Sequence, residues 1–313
     1  NPWDLAIHRV PGGSSSGTGV AVAAGLVPVG IGSDTGGSVR IPSAFNGLTG
    51  LKVTFGRISL HATGLLSWSL DTIGPMARNV HDCAVLLDAL AGPDARDATT
   101  FAQPLEVFSR EPRAVKGMRL AMPDTHQLPD FMDAAVVQSW HQAAKVFESL
   151  GADVVSVRLP DGFFDLAAQT GRIIASEALS LHRDYVDNPA VPLGPAVRQR
   201  IQAAASFKPG EYAQVLRTMH EQRRDFAHWF EAFDAMLLPT VASPAIALAD
   251  VDEASPLPGY LTRPINYLGL CALSVPAGLA AGLPMGLQIV GKAFDERTVL
   301  SLGQAFQAST DHH

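Results

Sequence analysis

Met118-Arg-Leu-Ala-Met122, then the stretch from Asp133 to Leu150, then Val154-Val-Ser-Val157 follow one another in mid-chain. The first and last are short, apolar and strand-like. Between them Val136, Val137, Trp140, Ala144 and Phe147 recur at helical spacing, and Gly151 supplies a stop. Strands alternating with helices predict a layered α/β fold. Toward the C-terminus the pattern predicts helices over about 163–186, 193–206 and 209–231 and a strand at Ala235–Leu238 closed by Pro239. A helix near 262–269, strands near 272–276 and 286–290, and a helix at 296–308 follow. Toward the N-terminus, Gly17–Leu26 reads as a small-residue helix and Val27–Ile31 as a short buried strand. Residues 32–38 form a glycine-rich turn, and a helix opens within Ser38–Asn46. Asn79 caps a helix that runs to Leu90, and residues 93–117 are polar and loop-like. No repeat, linker or low-complexity block divides the chain. One layered domain over 1–313 is expected, with 160–231 as a helical insertion that shapes a pocket.

Composition narrows the function. The chain has 313 residues, 47% hydrophobic and 17% charged, against roughly 25% charged on average. This excludes disorder as the main state. The net charge is −7 with no basic cluster, which argues against nucleic-acid binding. The low charge fraction also hints at a homodimer. Two distant cysteines, Cys83 and Cys271, cannot build a disulfide framework and suit a reducing compartment, so the cytoplasm is the expected location. From Pro264 to Gly291 no charged residue occurs, but Pro264, Pro276 and Pro284 break this run. It reads as buried strands and turns rather than a membrane span.

Most catalytic and binding patterns fail. The turn at Gly32–Ser38 has no P-loop lysine, and neither Gly17-Thr-Gly19 nor Gly30-Ile-Gly32 continues as a dinucleotide fingerprint. The ten histidines are scattered without metal-ligand spacing. No serine stands three residues before any of the five lysines. Gly13-Ser-Ser15-Ser-Gly17 matches a nucleophile elbow, which would make Ser15 an esterase nucleophile. However, the preceding Leu5–Pro11 contains His8 and Arg9 and is a poor strand.

A larger constellation remains. Pro11-Gly-Gly-Ser14-Ser-Ser-Gly17 is followed by Gly32-Ser-Asp34-Thr-Gly-Gly-Ser38-Val-Arg40-Ile-Pro42-Ser. This pair of blocks resembles the amidase signature family of serine amidohydrolases. The likeness continues through Gly47–Ser59, Ser69–Arg78, Leu237-Leu-Pro-Thr240, Leu273–Pro276 and Gly286–Gly291. It implies a mixed central sheet covered by helices and a Ser–Ser–Lys triad, with Ser38 as nucleophile and Ser14, entered through a cis peptide, as bridge. The implied reaction cleaves a small linear carboxamide to an acid and ammonia or amine through acyl-Ser38, with no metal or cofactor. The two glycines of Thr35-Gly36-Gly37-Ser38 allow successive N–H groups to face one cavity, which suits an oxyanion hole. Asp34 and Arg40 are expected to pair across that turn, and Ser15 to hydrogen-bond within the site. Ser16 and Thr18 depart from the glycine or other small residues common in the family. His61, Leu65, Leu66 and Trp68 suggest a partly apolar pocket wall.

The base is missing from this pattern. The family's catalytic lysine lies tens of residues before the first block, yet no lysine precedes Lys52. Lys52 itself is expected to be a structural or surface residue. A chain lacking its N-terminal portion is the expected explanation, with a natural pseudoenzyme as the rival. Two alternatives to a free-standing amidase stay open: an amidotransferase subunit that releases ammonia, and a catalytically silent scaffold.

Overall fold

The structure, a computed structural model, describes residues 1–312 other than Ala102, Pro104, Leu105, Ala254 and Pro256. The chain runs α1 (Ser16–Ala23), β1 (Val29–Ser33), α2 (Arg40–Asn46), β2 (Thr49–Lys52), β3 (Ile73–Ala77), α3 (Val80–Leu90), β4 (Arg119–Pro123) and α4 (Ala134–Ser149). It continues through β5 (Asp153–Val157), α5 (Leu166–Val186), α6 (Pro195–Gln202), α7 (Pro209–Phe230), β6 (Ala235–Pro239), α8 (Arg263–Tyr267), β7 (Cys271–Ala280), β8 (Leu283–Gly291) and α9 (Glu296–Ala308). Among the described residues, eight strands join one mixed sheet in the order β1-β3-β2-β7-β8-β6-β4-β5. The β4–α4–β5 unit is parallel, as is β4 with β6. The remaining neighbours are antiparallel.

The central strands are apolar on both faces because helices cover both. In β6, Ala235 and Leu237 join one core while Met236 and Leu238 join the other. In β7, Cys271, Leu273 and Val275 face the first and Ala272 the second. The first core is closed by Leu87 of α3, Trp140 and Phe147 of α4, and Phe306 of α9. The second is closed by Ile173 of α5, Phe226 and Phe230 of α7, and Ile265 of α8. Burying each such side chain is worth about 1.5–3 kcal/mol, so the two-sided sheet is the molecule's main source of cohesion.

Two details differ from the sequence reading. The strand expected as buried Val27–Ile31 is Val29–Ser33; it pairs only with β3 and forms an edge, leaving Ile31 48% exposed. Strands β2 and β3 went unread because Thr49-Gly-Leu-Lys52 is short and Ile73-Gly-Pro-Met-Ala77 carries a glycine and a proline, both poor strand signals. Gly74 is required there: a Cβ would lie 2.1 Å from the Leu51 carbonyl oxygen of the neighbouring segment. The uncharged run ending at Gly291 folds as α8 and the β7–β8 hairpin, with every residue of β8 buried. Among the described residues no helix is long and apolar enough to cross a membrane.

Candidate active site

The turn after β1 is held by a buried ion pair. Arg40 Nη2 lies 2.8 Å from Asp34 Oδ1, and both side chains are fully buried. Asp34 also accepts from the amides of Gly37 (2.8 Å) and Val39 (3.2 Å), from Arg40 Nε (3.0 Å) and from Asn266 Nδ2 (2.9 Å). Burial alone would raise the Asp34 pKa. The Arg40 charge and hydrogen bonds outweigh it and hold the carboxyl well below the ordinary carboxylate range. Arg40 in turn donates to Thr262 O (3.1 Å), Gln288 Oε1 (2.6 Å) and Asn266 Oδ1 (2.5 Å). The turn is thereby tied to β8 and α8, far along the chain.

This clamp decides which amides of the turn are free. The Gly37 N–H is committed to Asp34 Oδ1, whereas the amides of Thr35, Gly36 and Ser38 have no partner among the described residues. Gly37 takes φ +125°, and a Cβ on it would lie 2.2 Å from Thr262 Oγ1. Only glycine fits both the angle and the space. Thr262 Oγ1 donates to Gly36 O at 2.7 Å, and Thr35 Oγ1 donates to Asp71 Oδ1 at 2.5 Å.

The serine block lies alongside. The Gly13–Ser14 peptide is cis, as the family resemblance implies. The Ser15 amide donates to Ser38 O at 3.2 Å, which joins the two blocks. Ser15 Oγ accepts from Ser33 N at 3.2 Å and lies 3.3 Å from Ser33 O, clipping α1 to β1. Ser14 is exposed and Ser38 half-buried. Their hydroxyls make no hydrogen bond to each other among the described residues. Lys52 is structural rather than a surface residue. It is 1% exposed, and its Nζ donates to Val53 O (2.9 Å) and Leu270 O (2.8 Å). Burial, with the neighbouring Arg40 charge, lowers its pKa to about 8.

A second polar chain leads from the turn to the helices of 160–231. Asp71 Oδ2 accepts from the amides of Leu66 (2.7 Å) and Ser67 (3.0 Å). Burial, aided by nearby Glu177, pushes the Asp71 carboxyl up despite these bonds. Glu177 of α5 is fully buried and accepts from Ser67 Oγ (2.6 Å), Ser69 Oγ (2.7 Å), Ser69 N (3.1 Å) and Tyr212 Oη (2.7 Å). Trp68 is exposed and meets Tyr212 of α7 edge-on, with centroids 6.4 Å apart. Leu65 is bound through its carbonyl to His182 of α5, 2.6 Å away. Leu66 stays partly exposed. His61 is exposed, and the hydrogen bonds of its neighbours Ser59 and Leu60 run to Asp94 and Asp97, away from the turn.

Sequence reading missed Thr262, Asn266, Gln288, Asp71 and Glu177. All five are polar residues that the sheet buries. Their only local signal was a polar residue inside an apolar run, as with Gln288 among Leu287, Ile289 and Val290.

Sheet and turn together define the class: an α/β protein with the amidase-signature architecture. The Amidase family pattern matches residues 1–300. The glutamyl-tRNA(Gln) amidotransferase A-subunit of Lactiplantibacillus plantarum is 40% identical over 339 residues, spanning 99% of this chain and 69% of its own length. The solved Thermotoga maritima glutamyl-tRNA(Gln) amidotransferase A-subunit superposes with a TM-score of 0.84 at 33% identity, over 97% of this chain and 67% of that one. A bacterial aryl acylamidase of the amidase signature enzymes superposes with a TM-score of 0.86 at 25% identity, over 99% of this chain and 67% of that one. The chain belongs to the amidase family. Its relatives favour the amidotransferase alternative over the free-standing hydrolase that the sequence put first.

Proposed function

We propose that this protein cleaves a carboxamide by acyl transfer to Ser38 and releases ammonia, in the manner of the glutamyl-tRNA(Gln) amidotransferase subunits it resembles. The observation that carries the reading is the Thr35–Ser38 turn, locked by the buried Asp34–Arg40 pair with three amides uncommitted. Ser38 Oγ attacks the amide carbonyl, and Ser14 relays its proton toward a neutral lysine base. The amides of Thr35, Gly36 and Ser38 receive the developing oxyanion; Gly37, grouped with them on sequence grounds, serves the backbone angle instead. One such donor is worth about 2.7–4 kcal/mol of barrier in a serine hydrolase. The ammonia leaves with the relayed proton, and water then hydrolyses the acyl-serine by the reverse relay.

Lys52 does not serve as that base, because its Nζ is engaged by two carbonyl oxygens. The relatives are named as one subunit of an amidotransferase, which favours a protein partner of a different kind over a homodimer, and a cytoplasmic setting. Co-purification of the full-length protein with a second, different polypeptide tests that point.

Labelling the full-length protein with a fluorophosphonate, followed by peptide mapping, tests the nucleophile. The label is expected on Ser38 and is expected to vanish in Ser38→Ala. A label on Ser15, or one that survives Ser38→Ala, overturns the assignment.

A further inference from the structure

The amides of the turn that lack a partner are not all oriented in the same way. That of Ser38 is set by its own helix, since Gly37 O on the same peptide accepts from Ile41 N at 2.8 Å. That of Thr35 is set from another segment. The Asp34–Thr35 peptide is planar and trans, so its C=O and N–H point in opposite directions. Asp34 O accepts from Thr72 Oγ1 (2.9 Å), Thr72 N (3.3 Å) and Asn266 Nδ2 (3.2 Å). Holding the carbonyl on Thr72 turns the Thr35 N–H the other way. Asp34 N also donates to Thr72 O at 2.8 Å, and Thr35 Oγ1 donates to Asp71 Oδ1 at 2.5 Å. Two consecutive residues therefore grip Thr35, one at its peptide and one at its side chain.

Asp71 and Thr72 end a segment that is itself pinned. Leu70 is buried in the core that α5, α7 and α8 close. Leu65 O lies against His182, and Ser67 and Ser69 are bound to Glu177, both residues of α5. Asp71 and Glu177 are held by hydrogen-bond donors alone, with no cationic partner among the described residues. Burying carboxylates in this way is costly compared with apolar packing of the same shape. A carboxylate that accepts from several fixed donors gives those donors one arrangement, which apolar packing does not.

We propose that Asp71 and Thr72 are positioning residues that aim the Thr35 N–H at the oxyanion, and that Glu177 of α5 anchors the segment carrying them. This inference rests on the proposed acyl transfer to Ser38. Two reactions of the full-length protein separate aim from integrity of the site. Fluorophosphonate attack at Ser38 builds negative charge on the phosphoryl oxygen and draws on the turn's donors. Alkylation of Ser38→Cys by iodoacetamide displaces iodide from a saturated carbon and builds no oxyanion, yet it needs the same folded site.

Removing a whole oxyanion donor slows a serine hydrolase about 100- to 1,000-fold, and a misaimed donor is expected to lose part of that. Thr72→Val deletes one hydrogen bond on Asp34 O with little change of volume, and is expected to slow labelling of Ser38 about 3- to 10-fold. Glu177→Met removes the anchor and is expected to slow it at least about 10-fold. Thr72→Ser keeps the hydroxyl and is expected to label within about 2-fold of the intact protein, and iodoacetamide alkylation in the Ser38→Cys background is expected to stay within about 2-fold for every variant. Equal slowing of both reactions marks a merely structural role and overturns the proposal, as does unchanged labelling in Thr72→Val. If Glu177→Met does not fold, Thr72→Val against Thr72→Ser decides. Absence of label on Ser38 in the intact protein overturns the acyl-transfer reading itself, and this inference with it.

Discussion

Lys52 and Asp34 are both buried beside Arg40, yet their charges fare differently. Asp34 gains from its partner, whereas Lys52 loses more to burial and to the Arg40 charge than the Asp34 carboxylate returns. The sign of the Lys52 effect follows from linkage. Its folded pKa of about 8 lies below the unfolded value of about 10.4, so between these the unfolded chain holds more protons and stability rises with pH. Urea unfolding at pH 8 and 9.5 is expected to show the intact protein gaining about 1–2 kcal/mol relative to Lys52→Met over that interval. A pH-independent difference between the two proteins refutes it. Asp34 shows the same sign in a lower window, its contribution being lost as pH falls below the ordinary carboxylate value. At this scale the sequence disclosed Ser14, Ser38, Asp34 and Arg40, because they share two compact motifs. Asn266 and Gln288 lie more than 220 positions from the turn and could be joined to it only by folding.

The turn between β1 and α2 works as an element because it has no slack. Gly37 at φ +125° is pressed against Thr262, while a methyl placed on Gly64 would meet nothing within 4 Å. Gly37→Ala is expected to cost about 2–3 kcal/mol, lower Tm by about 5 °C or more, and slow fluorophosphonate labelling of Ser38 at least 10-fold. Gly64→Ala is expected to change neither. Unaltered labelling in Gly37→Ala would show that the turn is not rigidly set by that contact. Helices were legible by their spacing and caps: Asn79 accepts from Asp82 N, and Asp133 from Ala135 N. Strands β2 and β3 were not, since their small residues and proline answer to close approach between neighbours rather than to strand propensity.

The whole sheet brings the parts together, since β1, β8 and α8 each contribute to one polar cluster. On the proposed mechanism residues 1–313 supply a nucleophile, a bridging serine and oxyanion donors, while Lys52 is occupied by two carbonyl oxygens. A purified polypeptide of residues 1–313 is expected to show amide turnover at least 1,000-fold below that of the full-length protein, since removing an essential catalytic group costs about that much or more. Robust turnover by residues 1–313 alone would refute the lysine-base mechanism. By itself the sequence determined the α/β class, the helices and the two serine blocks, because each is written in contiguous residues or short periodic patterns. Only the tertiary structure decided the exposed edge at β1, the free amides of the turn and the burial of Lys52. Those depend on which distant segments the sheet sets side by side, and no local pattern encodes that.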